Sequence, residues 1–349
     1  MAVTLRDVAL RAGVSVRTVS NVVNGFRHVS PQMRELVQAA IDELGYQPNV
    51  LARSLRRGHT GVIALLVPEL GVPYFGELAH QVIEAARVRG LTVMVDETAG
   101  NAAREREILD LATSSGLVDG VILSALGLSG DEVALLHPRV PMVLLGEHTA
   151  PRRFDHAGTD NVLAAKDAVA HLVAAGARRV AVIGAEPGAG RETSRLRLRG
   201  YRAAVKAAGQ RPDPGLVQAV GTFHRQDGAE AMHRLLGLAN PPDATFCFND
   251  SLALGALRVL YDRGIRSPQD MRIVGFDDVE EGRFSMPTLS TIAPDKPAIA
   301  RAAVDLLCDR IGGSTLAPRD VVVPHHLVLR ESSQVGAGVG PDAVPGSTG

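Results

Sequence analysis

Lysine is nearly missing from this chain. Of 37 basic residues only Lys166, Lys206 and Lys296 are lysine, and with abundant alanine and glycine that bias reads as GC-rich coding rather than chemistry. Tryptophan is absent, and eight phenylalanines with four tyrosines are all the aromatics there are, so any clustering of them is informative. Two cysteines, Cys247 and Cys308, sit among apolar residues without the spacing of a metal or redox site, which excludes a disulfide scaffold and leaves buried thiols. No run of about eighteen apolar residues occurs, which excludes a membrane-spanning helix. The opening Met-Ala-Val-Thr-Leu-Arg-Asp lacks the charged start and apolar stretch of an export signal, so a cytoplasmic location is expected.

At 349 residues, 46% hydrophobic and 21% charged, the chain has the composition of a packed protein of two or three domains. Its net charge of −1 hides an asymmetry. Residues 1–60 hold eight arginines against four acidic residues, a charge of +4, and the remainder carries −5. A basic head on an acidic body suits an anionic partner for the head alone.

Leu5-Arg-Asp-Val-Ala-Leu-Arg-Ala-Gly-Val-Ser-Val-Arg-Thr-Val-Ser-Asn-Val-Val-Asn24 has the pattern of a helix-turn-helix. Small Ala9 fits a close helix crossing, Gly13 supplies a turn with positive φ, Ser15 can cap the second helix and Val19 can bury its apolar face. Thr4-x-x-Asp7 is a capping-box-like start. An ordinary helical hairpin carries a similar Ala/Gly/Val pattern; the flanking segments separate the two. Ser30-Pro31 opens a third helix, with Leu36, Val37, Ala40, Ile41 and Leu44 on one stripe and Gly45 as its end. Tyr46–Gly58 could form a helix of about nine residues, too short to stand alone in water. It should be disordered until paired, and Arg53, Arg56 and Arg57 make DNA the natural partner.

The body alternates short apolar strands with helices. Strands are expected at Gly61–Val67, Leu91–Val95, Gly120–Ser124 and Met142–Leu145, and the series restarts after Asp160 with Val180–Gly184, Thr245–Phe248 and Arg272–Phe276. That order predicts parallel sheets with right-handed crossovers in two similar lobes. A helix at Pro297–Ile311 and one strand-like run, Val321–Leu329, close the fold, and the Gly/Pro/Ala/Ser-rich tail 334–349 should be disordered.

Thr4-Leu-Arg-Asp-Val-Ala, Gly13-Val-Ser, Thr18-Val-Ser, Val22-Val-Asn, Leu44-Gly-Tyr-Gln-Pro-Asn and Ala52-Arg-Ser-Leu55 follow one another in the head. Val118-Asp-Gly-Val-Ile-Leu123, Arg197-Leu-Arg-Gly-Tyr201, Asn249-Asp250 and Val274-Gly-Phe-Asp-Asp278 follow in the body. In this order the chain resembles the lactose-repressor (LacI/GalR) family of bacterial transcription regulators over about residues 3–330. The resemblance implies an α/β protein with an N-terminal all-α helix-turn-helix domain and a two-lobed periplasmic-binding-protein-like core of parallel sheets. Expected boundaries are 1–46 for the head, 47–60 for a hinge helix and linker, and 61–333 for the sensor. Lobe one would take about 61–160 and 294–320, and lobe two about 161–293 and 321–333.

By the same resemblance the chain binds double-stranded operator DNA as a homodimer; the missing apolar run and the missing ligand spacing give the expectation of no membrane partner and no metal, and no cofactor is expected. Val16, Arg17 and Asn21 would face base edges; Arg17 can clamp a guanine or hold a phosphate. Thr4, Ser15, Thr18, Asn24 and His28 match positions that hold the phosphate backbone, a task that leaves their capping roles open. Ala52 and Leu55 match the small residue and the wedging leucine of a minor-groove hinge helix, with packing on the body as the alternative for Leu55. The family's tetramers add an apolar heptad helix that the tail lacks, which favours a dimer.

Parallel-sheet lobes put a ligand cleft at the carboxyl ends of their strands. Tyr74 and Phe75 follow the first strand, and the resemblance places Arg197, Phe223, Asn249 and Asp277 in the effector site. A guanidinium, an amide and a carboxylate can share adjacent hydroxyls and an aromatic face suits a sugar ring, which favours a mono- or oligosaccharide over a nucleoside or purine. Core packing for the aromatics and a lobe-to-lobe ion pair for Arg197 and Asp277 are the rival readings. Asp96, Ser124, Asp160 and Asn161 also stand near strand ends. Enzyme signals are poor: Gly184–Arg191 resembles a phosphate loop without its Gly-Lys-Ser/Thr ending, Asp277-Asp278 lacks companion metal ligands, His325-His326 reads as structural, and no catalytic residues emerge. A sugar-processing enzyme is the rival from another class.

Overall fold

The computed structural model describes residues 3–23, 26, 28–46, 59–146, 153–185, 192–211 and 213–334. It divides into two compact units, Met1–Thr60 and Gly61–Gly349. Residues 47–58, most of the expected hinge, and the tail from 335 lie outside the described residues.

The head is three helices, α1 (Leu5–Ala12), α2 (Val16–Val23) and α3 (Pro31–Leu44). Its caps are those the sequence predicts. The Thr4 N–H and hydroxyl both donate to the Asp7 carboxylate at 2.8 Å, and these bonds hold its pKa below the usual range. Gly13 turns the chain at φ 65° and Ser15 Oγ accepts from the Thr18 N–H at 3.1 Å. Ser30 caps α3 from the Met33 N–H at 3.3 Å. Val8, Val19 and Val37 are fully buried and meet with Ala9, Ala12, Val22, Ala40 and Tyr46 in one small core. Leu36 falls off the expected stripe and is 49% exposed.

The second unit begins β1 (Val62–Val67), α4 (Pro73–Val88), β2 (Thr92–Glu97), α5 (Ala102–Ser114) and β3 (Gly120–Leu123). It continues α6 (Gly130–Ala134), β4 (Met142–Leu145), β5 (Asp155–Thr159), α7 (Asn161–Ala174), β6 (Val180–Ala185) and α8 (Glu192–Ala207). Then come β7 (Val217–Ala219), α9 (Arg225–Leu236), β8 (Ala244–Cys247), α10 (Asp250–Asp262), β9 (Arg272–Phe276) and α11 (Glu280–Arg283). The last elements are β10 (Ser290–Pro294), α12 (Lys296–Ile311), β11 (Asp320–Val323) and β12 (His325–Val328).

Two six-stranded sheets result, in the orders β11-β5-β4-β3-β1-β2 for lobe one and β12-β10-β9-β8-β6-β7 for lobe two. β1 shows why such strands are apolar throughout. Ile63, Leu65 and Val67 pack under α4 and α12, while Ala64 and Leu66 face α5 on the other side. In lobe two, glycine lets α9 and α10 meet at backbone distance: a Cβ on Gly255 would lie 1.8 Å from the Arg225 carbonyl, and one on Gly228 would lie 2.1 Å from that of Leu252.

Two expectations are corrected. Val321–Leu329 is not one strand but two, serving both lobes: β11 pairs with β5 and β12 with β10. Pro324 stands between them, so the last crossing falls there rather than after residue 320, and Pro294, assigned to lobe one, ends lobe-two strand β10. The lobe-two sheet is also not wholly parallel. The chain leaves lobe two at Pro294 and re-enters beside it at His325, so β12 runs back along β10 antiparallel, with Pro294 opposite His325.

Candidate functional site

In the head, Val16 and Arg17 occupy the first two positions of α2 and are exposed, opposite buried Val19 and Val22. Asn21, one turn beyond Arg17, is half-buried. Thr4, Ser15 and His28 are exposed, and Thr18 is half-buried with its hydroxyl 2.9 Å from that of Ser15. His28 packs edge-on against exposed Phe26 at 5.7 Å between ring centres. Asn24, Ala52 and Leu55 lie outside the described residues.

In the second unit, Tyr74, Phe75, Arg197, Phe223, Asn249 and Asp277 line one cavity of about 190 Å³ between the lobes. Lobe one contributes Tyr74 and Phe75 from the first turn of α4, ring to ring at 5.2 Å and edge-on. Lobe two contributes Phe223, edge-on to Phe248 at 6.4 Å. All three also pack against the lobe cores, so core packing and cavity lining hold together. Ser124, expected near a strand end, also lines the cavity, as do Glu69, Thr193, Thr222 and His224, which no sequence pattern singles out.

The polar members are held rigidly. Arg197 is 6% exposed; its Nε donates to Asn161 Oδ1 at 2.6 Å, an Nη donates to the Phe248 carbonyl, and the guanidinium lies 3.4 Å from the Phe276 ring centre. These partners all belong to lobe two, so Arg197 is anchored within its own lobe. Asn249 caps α10, its Oδ1 accepting from the Leu252 N–H at 2.8 Å, and its amide donates to the Phe223 carbonyl at 3.0 Å. Asp277 follows β9 with φ 117° and Asp278 with φ 49°, backbone conformations that residues with a Cβ rarely adopt. Asp160 caps α7 and Asn161 supports Arg197, so neither lines the cavity.

Charge below this wall is unusual. Asp250 is fully buried; burial first, then the nearby Asp277, push its carboxyl far above the usual range against bonds from Thr291 and Val279. Burial also works on Asp278, but Arg330 at 2.6 Å and Arg283 at 3.1 Å outweigh it and hold that carboxyl low. Among the described residues no group of three or more His, Cys, Asp or Glu could hold a metal ion. Cys247 is buried and Cys308 half-buried, and burial pushes both thiols up, away from thiolate chemistry. The lobes are bridged by His224 and Glu69 at 2.8 Å across the cavity wall, and by Lys296 at the crossings.

A helix-turn-helix head followed by a two-lobed unit with a polar, aromatic-lined cleft is the architecture of a DNA-binding transcriptional regulator. The chain belongs to the LacI family. Residues 4–49 match the model for bacterial regulatory proteins of the lacI family, and residues 169–333 match that for a periplasmic binding protein-like domain. It is similar to the HTH-type transcriptional repressor PurR of Haemophilus influenzae (strain PittEE), 35% identical over 88% of this chain and 91% of that protein. Among solved structures it is similar to a transcriptional regulator CelR–cellobiose complex, with 34% identity over 95% and 99% of the two chains and a TM-score of 0.71. The lac repressor dimer bound to operator and the anti-inducer ONPF is 28% identical over 96% and 100%, with a TM-score of 0.82.

Proposed function

We propose that this chain works in the cytoplasm as a homodimer that grips a near-palindromic operator and is controlled by a saccharide in the cleft. Arg17, with Val16 and Asn21, reads base edges in the major groove; Thr4, Ser15, Thr18, Asn24 and His28 hold phosphates; Ala52 and Leu55 enter the minor groove. The observation that carries the ligand reading is the meeting of six residues from two lobes in one cavity. Aromatic carbon comes from both sides, and a guanidinium, an amide and a carboxylate from one. Fixed donors and acceptors of this kind suit neighbouring hydroxyls. The bound cellobiose of the CelR relative supports the same class.

A second reading has its own observation. Tyr74 and Phe75 on one lobe and Phe223 on the other could sandwich a planar base, which fits a nucleoside or purine. Thermal-shift measurements with glucose, cellobiose, adenosine and hypoxanthine separate the two, with hits retested against DNA fragments selected by the protein. A saccharide that stabilises the protein and changes DNA affinity is expected; a thousandfold change requires about 4 kcal/mol of differential binding between two states. A purine that stabilises it and tightens DNA binding, with no sugar active, would overturn the saccharide reading.

A further inference from the structure

The loop that carries Asp277 into the cleft is gripped from both lobes. From lobe two, Asp250 Oδ2 accepts from the Val279 N–H at 3.0 Å. From lobe one, Lys296 at the start of α12 donates to the carbonyls of Asp277 at 2.6 Å and Asp278 at 3.1 Å. Its third N–H goes to Glu77 Oε2 on α4 at 2.5 Å, and the other oxygen of Glu77 accepts from the Glu280 N–H at 3.0 Å. The Lys296 side chain is only 12% exposed.

An ammonium has three donors arranged around one atom, and all three are used here. Arginine's flat fork cannot aim three N–H groups at acceptors clustered around a point. In a chain where three of 37 basic residues are lysine, this position demands one on geometric grounds, against the coding-bias explanation that covers the rest.

We propose that Lys296, oriented by Glu77, is a positioning residue that ties the backbone of Asp277 and Asp278 to lobe one, so that lobe arrangement and the place of the Asp277 carboxylate in the cleft are set together. Neither Lys296 nor Glu77 lines the cavity, so their influence on a ligand passes through the loop. The inference rests on the reading of the cleft as the effector site.

Hydrogen exchange on the full chain without ligand tests the clasp directly. In folded Lys296→Met and Glu77→Gln, amides of residues 277–283 should exchange about tenfold faster while β8 and α10 keep their protection, and Lys296→Arg should not restore the wild-type rate. Unchanged exchange overturns the clasp, as does a rise spread evenly over lobe two, which plain destabilisation would give. Full recovery in Lys296→Arg overturns the requirement for lysine. Calorimetric titration with cellobiose and adenosine reads the second half. Whichever probe wild type binds should bind Lys296→Met about tenfold more weakly, and Asp277→Asn should add little on top, as for two residues acting through one contact. Equal affinity, or losses that simply add, overturns the positioning role. If wild type takes neither probe, glucose and hypoxanthine replace them in the same titration, and exchange decides the clasp in every case.

Discussion

Replacing Asp250 separates a protonated buried carboxyl from an ionised one. One oxygen accepts from the Val279 N–H at 3.0 Å and the other lies 2.6 Å from the Thr291 hydroxyl, which accepts from the carboxyl O–H when Asp250 holds its proton; no water-exposed surface remains to either. Asp250→Ala strands the Val279 N–H in the core, while the Thr291 hydroxyl still has the Ile292 carbonyl at 3.3 Å, so a loss of about 1–3 kcal/mol is expected. Asp250→Asn keeps an acceptor for Val279, and its new amide donates to Thr291, whose hydroxyl turns to the Ile292 carbonyl 3.3 Å away. Its cost at pH 5 should stay within about 1 kcal/mol.

The pH dependence follows from the raised pKa. Native Asp250 keeps its proton where an unfolded aspartate, with an ordinary value of 3.8, has lost it. The stability this group confers is therefore full below the unfolded value and declines as pH rises towards the native one. Each pH unit in that window costs wild type about 1.4 kcal/mol that the Asn variant is spared. Urea denaturation at pH 5 and pH 7, followed by tyrosine fluorescence, should show the Asn variant gaining on wild type as pH rises. A gap independent of pH, or an Asn variant as damaged as Ala, would refute the argument.

Gly255→Ala should lower the urea midpoint by the equivalent of about 3 kcal/mol, because the nearest atom to the added methyl is a backbone carbonyl that cannot swing aside; an unchanged midpoint would mean that α9 and α10 separate freely. Arg17→Ala should cost about 1–3 kcal/mol on the selected operator and little on scrambled DNA, measured by fluorescence anisotropy; equal losses would assign Arg17 to a phosphate. Leu55→Ala should weaken operator binding while leaving cellobiose or adenosine affinity untouched, and full operator affinity would remove the wedge.

What the sequence discloses depends on how local the cause is. β1 is legible because Ile63–Val67 must be apolar on both faces, and the head because Thr4, Gly13, Ser15 and Ser30 act within a few residues of themselves. Asn249 and Asp277 are legible as residues that follow strands. β5 is not, since Asp155-His-Ala-Gly-Thr has no apolar run. Its buried aspartate is held by Arg310 at 2.7 Å and Arg319 at 3.5 Å, partners that no local pattern reveals. Glu69, His224 and Lys296 are invisible for the same reason: each has its meaning only where two lobes assembled from distant segments meet.

The division of residues 320–328 between the two sheets has a consequence for how the protein is made. The head needs only α1, α2, α3 and Tyr46 to complete its core and can fold once residues 3–46 have left the ribosome. Neither lobe has that freedom, because each waits for a flanking strand that follows all the other strands in chain order. Until it arrives, the open sides of β5 and β10 are templates for mispairing with another nascent chain.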